Sequence, residues 1–172
     1  MSCLITNGIS RTCAFAVGGI KSDIWLANAE DFTFKYATTG QVTGTTMVGT
    51  GKTFYAFQQE LESASLTQSL QAGTVSRFVS QVLVLSLSNL TQANIETINT
   101  LSLTKMIAIL KANDGNWYAV GEDGSGLKAS ALENTTGMKD ADAAQATITM
   151  TAANKGYAPT VSQAAITALS IS

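Results

Sequence analysis

The stretch from Val75 to Leu127, VSRFVSQVLVLSLSNLTQANIETINTLSLTKMIAILKANDGNWYAVGEDGSGL, carries the densest apolar signal in the chain and constrains the fold more than any other part. Phe78 to Leu87 is a β-branched and apolar run without Gly or Pro, and its second half is apolar on both faces, which predicts a central strand. Thr91 then stands where an N-cap is needed, because its hydroxyl can accept a bond from an unpaired first-turn amide. Leu90 and Ile95 have the spacing of a hydrophobic staple. Ile95, Ile98 and Leu101 recur every three residues among Gln92, Asn94, Glu96 and Asn99. One narrow stripe of a helix of about three turns is therefore expected to dock on the sheet carrying Val82, Val84 and Leu85. Met106 to Leu110 resumes strand character, Asn113-Asp114-Gly115-Asn116 tolerates positive φ at a hairpin turn, and Trp117 to Val120 is the return strand. The order strand, helix, hairpin predicts a mainly β fold with one flanking α-helix, a β-sandwich or barrel-like subunit, and not repeated βαβ units.

The rest of the chain reads as strands and polar loops. Val17 to Ile20 is a turn signal, followed by strands at Asp23 to Asn28 and Phe32 to Tyr36. Thr38 to Lys52, TTGQVTGTTMVGTGK, holds four glycines and few large side chains, so it is either a mobile loop or a hairpin that orders only against a partner. Thr53 to Glu62 alternates as a strand, and the main sheet is expected to contain a long antiparallel pair, Thr53 to Gln71 against Thr74 to Leu87. Leu127 to Leu132 and Ala146 to Thr151 are further strands, with a loop from Asn134 to Ala144 between them. The tail from Lys155 to Ser172 reads as a last strand or a C-terminal arm. With 172 residues, no repeats and no linker-like boundary, one structural domain over 1–172 is expected.

Charge excludes one class of function. Ten basic and twelve acidic residues give a net charge of −2, and only 13% of residues are charged, so no basic field exists to hold nucleic acid by its phosphates. The surface is instead built from Ser, Thr, Asn, Gln and Gly. There is no histidine, and Cys3 and Cys13 alone cannot make a four-ligand zinc site. They read as two reduced, small apolar residues, with a disulfide closing the N-terminal loop as the alternative. The N-terminus lacks the basic and apolar regions of a secretory signal, and no apolar run approaches a membrane span, so a soluble product made in a cytoplasm is expected.

Motifs for chemistry are sparse. Val48-Gly-Thr-Gly-Lys-Thr53 resembles the end of a phosphate-binding loop, but the Walker pattern needs Gly where Thr46 stands and a helix where an aromatic strand follows. Gly121, Gly124 and Gly126 lack the dinucleotide-binding spacing. Asp114, Glu122 and Asp123, with Asp140 and Asp142, are read as turn residues in preference to calcium ligands. Trp25, Trp117 and Tyr118 read as core or interface aromatics, with ring stacking on a sugar or base as the alternative. Without histidine or an activated-nucleophile motif, no enzyme, metal or cofactor is expected.

Several of these segments together carry a likeness. They are the Gly-Gly turn with Ile24-Trp25-Leu26-Ala27-Asn28, the aromatic strand ending Gln59-Glu60-Leu61-Glu62, the VLVLSLSNLTQANIETINTLS passage, and the Asp114-Gly115-Asn116-Trp117 hairpin leading to Gly121-Glu-Asp-Gly-Ser-Gly126-Leu127. In order and character, over roughly residues 17 to 150, the chain resembles the tail tube proteins of tailed bacteriophages and the tube subunits of contractile injection systems. The resemblance implies a β-sandwich with one flanking helix that assembles with itself into stacked, usually hexameric rings in the virion tail, beside other tail proteins. Assembly would take place in the host cytoplasm, with DNA only as non-specific cargo in the lumen. It further implies that Val42, Gly44, Met47, Val48 and Gly49 form an oligomerisation loop, with the C-terminal tail as a second arm. A baseplate, connector or head-decoration protein is the near alternative, and a carbohydrate-binding sandwich the different one.

Overall fold

The apolar centre of the sequence becomes the hub of two facing sheets in the computed structural model, which describes residues 18–59, 63–88, 90–122, 125–136 and 144–172. In chain order the elements are β1 (Ile20–Asn28), β2 (Phe32–Tyr36), β3 (Val42–Met47), β4 (Tyr55–Gln58), β5 (Ser65–Ala72), β6 (Arg77–Ser88), α1 (Gln92–Leu101), β7 (Met106–Ala112), β8 (Trp117–Val120), β9 (Lys128–Thr135), β10 (Gln145–Asn154), β11 (Thr160–Val161) and α2 (Gln163–Thr167). A large sheet has the order β2-β3-β11-β8-β7-β1-β4 and a small one the order β5-β6-β10-β9. Strand pairs are antiparallel except β3 with β11. The mainly β expectation is met, with a second short helix beside the flanking one. Among the described residues no helix is long and apolar enough to cross a membrane.

Strand β7 explains the layering. Met106 to Leu110 are five consecutive buried residues, so both faces of this strand are covered. Met106, Ala108 and Leu110 point into a core between the sheets, where they meet Leu83 and Leu85 of β6, Ile148 and Met150 of β10, and Ile98 and Leu101 of α1. Ile107 and Ile109 point the other way, into a second core with Phe32, Val42, Phe54 and Ile166. The Phe32 and Phe54 rings lie 4.5 Å apart. Because β2 and β4 are the two ends of the large sheet, this contact curls the sheet around its second core, and α2 supplies Ala165 and Ile166 to fill it.

Helix α1 begins as the sequence predicts: Thr91 caps it, its hydroxyl accepting from the Asn94 N–H at 3.3 Å. Leu90 packs half-buried against the inter-sheet core, while Ile95 is half-buried and Ile98 and Leu101 are buried. The docking face on β6 differs from expectation in parity. Val79, Gln81, Leu83 and Leu85 face inward, whereas Val82 and Val84 belong to the opposite face, because side chains alternate strictly along a strand.

Three further expectations are corrected. Only Ser65–Ala72 pairs with β6, while Tyr55–Gln58 pairs with β1 in the other sheet. Phe54 and Phe57 are apolar in opposite directions and fit between the two cores, whereas β5 offers the core only Leu66. The tail is neither one strand nor an arm. It forms β11 and α2, and then Ser170–Ser172 lies along β4: the Phe54 N–H donates to Ser170 O at 2.9 Å and the Ser172 N–H to Phe54 O at 2.8 Å. The Thr38 to Lys52 segment contributes to the chain's own large sheet, β3 pairing with β2 and, through Val42, with Val161. Cys3 and Cys13 lie outside the described residues, as do Glu60, Leu61, Glu62, Asp123, Gly124, Gly137, Asp140 and Asp142.

Replacing the buried Ile98 by Ala is expected to cost about 2–5 kcal/mol in urea unfolding, through lost burial and a residual cavity. Asn99→Ala, on the exposed side of the same helix, is expected to stay within about 0.5 kcal/mol. Equal effects would show that α1 is not a core element.

Candidate functional site

The five residues assigned to an oligomerisation loop do not share one surface. Val42 is fully buried in the second core, and Met47 packs half-buried against it. Gly44 is half-buried in β3 opposite Lys35. Val48, 53% exposed, and Gly49, in the turn beyond the strand, are the two that reach solvent. Beyond them Lys52 pairs with Asp31 at 2.9 Å, and Asn28 donates to the same carboxylate at 2.8 Å, so the turn is tied back to the β1–β2 corner. The Lys52 hydrogen bond, followed by that of Asn28, lowers the Asp31 pKa.

The small sheet is different, because among the described residues only its inner face is covered. Its inner face enters the inter-sheet core. Register across the outer face reads Ser65, Val84, Thr149, Ala131 in one row and Thr67, Val82, Thr151, Lys128 in the next. Ser86 and Thr147 approach to 3.3 Å across the same face, and Glu133 lies opposite Thr147. The charged residues at these paired positions are Lys128 and Glu133, both on β9. Among the described residues no strand pairs with the outer edge of β5 or of β9.

A buried polar cluster holds the two sheets in register. Gln81 is fully exclude from solvent within an otherwise apolar strand face, and its Oε1 accepts from the Gly121 N–H at 3.1 Å and from Asn154 Nδ2 at 2.9 Å. Asn154 also donates to Glu122 at 3.1 Å and accepts from the Ser125 hydroxyl at 3.0 Å. Gly121, at φ 76°, is obligatory here, since a Cβ would stand 2.9 Å from the Leu127 amide nitrogen. Removing one member would leave buried polar atoms unpaired. Sequence reading passed over this cluster, and its one signal was a lone Gln in an apolar run.

At the other end of β6, a cleft of about 740 Å³ opens between α1, β1 and β4. Leu26, Phe57, Leu87, Ile98, Leu101 and Met106 form its apolar part, and Gln58, Ser88, Thr97, Thr100 and Thr104 its polar part. No Asp, Glu, Lys or Arg side chain lines it. Elsewhere the chemistry considered from sequence resolves into structure. Gly49 and Gly51 take positive φ and lead into β4, not into a helix. Trp25 and Trp117, both half-buried, stack on each other at 4.6 Å, and Lys111 lies 5.2 Å from the Trp117 ring centre. Among the described residues no group of three or more Cys, His, Asp or Glu is placed to hold a metal ion.

Two predictions follow from these placements. Val42→Ala is expected to lower the stability of the fold by about 1–3 kcal/mol, and Val48→Ala to stay within about 0.5 kcal/mol; equal urea midpoints would remove Val42 from the core. At the β7–β8 turn, burial pushes Asp114 up, but bonds from the Asn116 N–H (2.8 Å), Asn116 Nδ2 (3.1 Å) and the Tyr118 hydroxyl (2.9 Å) outweigh it and hold the carboxyl below its usual range. A depressed carboxylate stabilises the fold above its unfolded value, about 4, and the contribution fades as pH falls through the lower folded value. Asp114→Asn should therefore be less stable than wild type at pH 7, with the gap closing near pH 3. A gap independent of pH would show that the charge of Asp114 is not involved.

No protein-family model, no curated protein and no solved structure matches this chain.

Proposed function

We propose that this protein is a self-assembling virion structural subunit of the tail tube type, whose small sheets join edge to edge into a ring around a conduit for DNA. The observation that carries the reading is the small sheet, on whose two edges no strand pairs among the described residues and whose pairs are all antiparallel. In an even-numbered antiparallel sheet the first and last strands run in opposite directions. A neighbour related by rotation about an axis along the strands therefore presents β5 antiparallel to β9, and the ladder continues from copy to copy without a break. Closing the ring removes both open edges, which would otherwise template uncontrolled pairing. Six copies, the number implied by the likeness to tail tube proteins, is the expected ring.

The outer face then lines the lumen. Its Ser, Thr and Val rows carry neither the cationic field that would bind phosphates nor a continuous anionic one that would repel them, so DNA passes without sticking. The role is structural and non-catalytic, and the partners are further copies of the chain and other tail proteins.

Concentrated protein is expected to show rings or tubes by electron microscopy and a matching rise in light scattering. Proline placed in turn at Leu132 and at Glu133 on β9 tests the edge, because along an edge strand alternate N–H groups point outward. One of the two variants should keep the wild-type thermal transition while remaining monomeric. Wild-type protein that stays monomeric at every concentration and salt would overturn the proposal.

A further inference from the structure

We propose that the β2–β3 hairpin is a hinged flap over the second core, which lifts at its tip as a unit while the C-terminal segment stays with the body of the large sheet. Strand order sets up the motion. Strands β3 and β8 are not neighbours, and among the described residues the two-residue β11 is the only strand that pairs the hairpin with the rest of the sheet. The chain enters the hairpin at Phe32 and leaves it at Met47, which are register partners, so both connections lie at one end. The turn, closed by the bond from the Ala37 N–H to Gln41 O at 2.8 Å, lies at the other.

The two ends are held differently. At the base, the Asp31 carboxylate pairs with Lys52 at 2.9 Å and accepts from Asn28 at 2.8 Å, while Asp31 O accepts from the Val48 N–H at 2.8 Å. The Ala29 N–H donates to Lys105 O at 2.9 Å, and Phe32 meets Phe54 at this same end. At the tip, Val42 and Val161 form a single parallel pair, and the Ser162 N–H donates to Val42 O at 2.8 Å. From Phe32 to Met47 only Phe32 and Val42 are buried, so Val42 is the one fully buried side chain that a lifted tip withdraws. Gly49 and Gly51, at φ 92° and 74°, lie in the link to β4, where a hinge absorbs backbone rotation.

The C-terminal segment is bonded to the body on both sides of α2. The Ala119 N–H donates to Pro159 O at 3.0 Å, Thr160 and Val161 pair with Tyr118 and Trp117, and Ser170 and Ser172 bond to Phe54. The flap therefore parts from β11 before β11 parts from β8. Regions with few buried contacts open locally ahead of global unfolding. Lifting the tip takes Val42 out of the second core and frees an edge of β11, so this core opens to solvent while the inter-sheet core stays closed.

The test uses the full chain with Cys3→Ser and Cys13→Ser, carrying either Val42→Cys or, as a control buried in the inter-sheet core, Met150→Cys. Iodoacetamide without denaturant is expected to modify the thiol at position 42 at least about tenfold faster than that at position 150. The faster rate should rise little with urea below the unfolding transition, because a small opening exposes little surface. Amide exchange on the wild-type chain reads the same event without substitution. The Ser162 N–H, bonded to the flap, should exchange through the shallow opening, and the Ala119 N–H, bonded to Pro159, only near global unfolding. Equal labelling rates with equal urea dependence at the two thiols would overturn the proposal. Joint exchange of Ser162 and Ala119 would overturn it too, by showing that the C-terminal segment leaves with the flap. If a variant fails to fold, the wild-type exchange decides alone.

Discussion

A strand buried on both sides needs a cover on each, and five consecutive buried residues from Met106 to Leu110 impose that need on the large sheet. One cover is the small sheet with α1. The other has to come from the large sheet itself, which curls until Phe32 and Phe54 meet and leaves a space that α2 fills. The aromatic residues at the sheet's ends, the burial of Val42 and the placement of the C-terminal residues all serve the second cover. Without it Ile107 and Ile109 would face water, at a cost of about 1.5–3 kcal/mol for each large side chain.

The small sheet lives under the opposite regime. Among the described residues it has one covered face, no strand paired along either edge, and an outer face of Ser, Thr and Val, so its contacts within the chain are made inward. The polar cluster of Gln81 and Asn154 sits where the two regimes meet and fixes how the sheets face each other. Apolar packing alone tolerates sliding, whereas directional bonds with defined partners do not. The cluster therefore fixes the angle at which the small sheet holds its two edges relative to the large sheet.

What the sequence disclosed was local. The run around β6, the Thr91 cap, the stripe of α1 and the Asp114-Gly115 hairpin each follow from residues within a few positions of one another, and each is found in the structure. What stayed hidden depended on distant pairing. Nothing near Tyr55–Gln58 says that its neighbour is β1 and not β6, and a two-residue strand such as β11 has no period to detect. Helix α2 is five residues of Gln, Ala, Ile and Thr, held by a Ser162 cap and by the core beneath it, so composition alone gave no helix signal. The glycine-rich segment misled because glycine count speaks of conformational cost, while buried Val42, half-buried Met47 and the pairing with β2 anchor the segment. The candidate surfaces were hidden for the same reason: an open edge is a property of the sheet, not of the residues in it.

Strand β11 joins halves of the large sheet that would otherwise be separate. It lies between β3 and β8, pairing Val161 with Val42 on one side and with Trp117 on the other, and it comes from near the end of the chain as given. The β2–β3 hairpin therefore has no neighbour to dock on through β3 until residues more than a hundred positions later have been made and placed. Loop closures of that length are slow relative to hairpin formation. During synthesis the small sheet, built from consecutive and locally paired β5 and β6 and completed by β10 and β9, can form ahead of the large sheet's final closure. The small sheet can thus be in place, its edges unpaired by any described strand, before the large sheet closes, so the two sheets of one chain need not form in a single step.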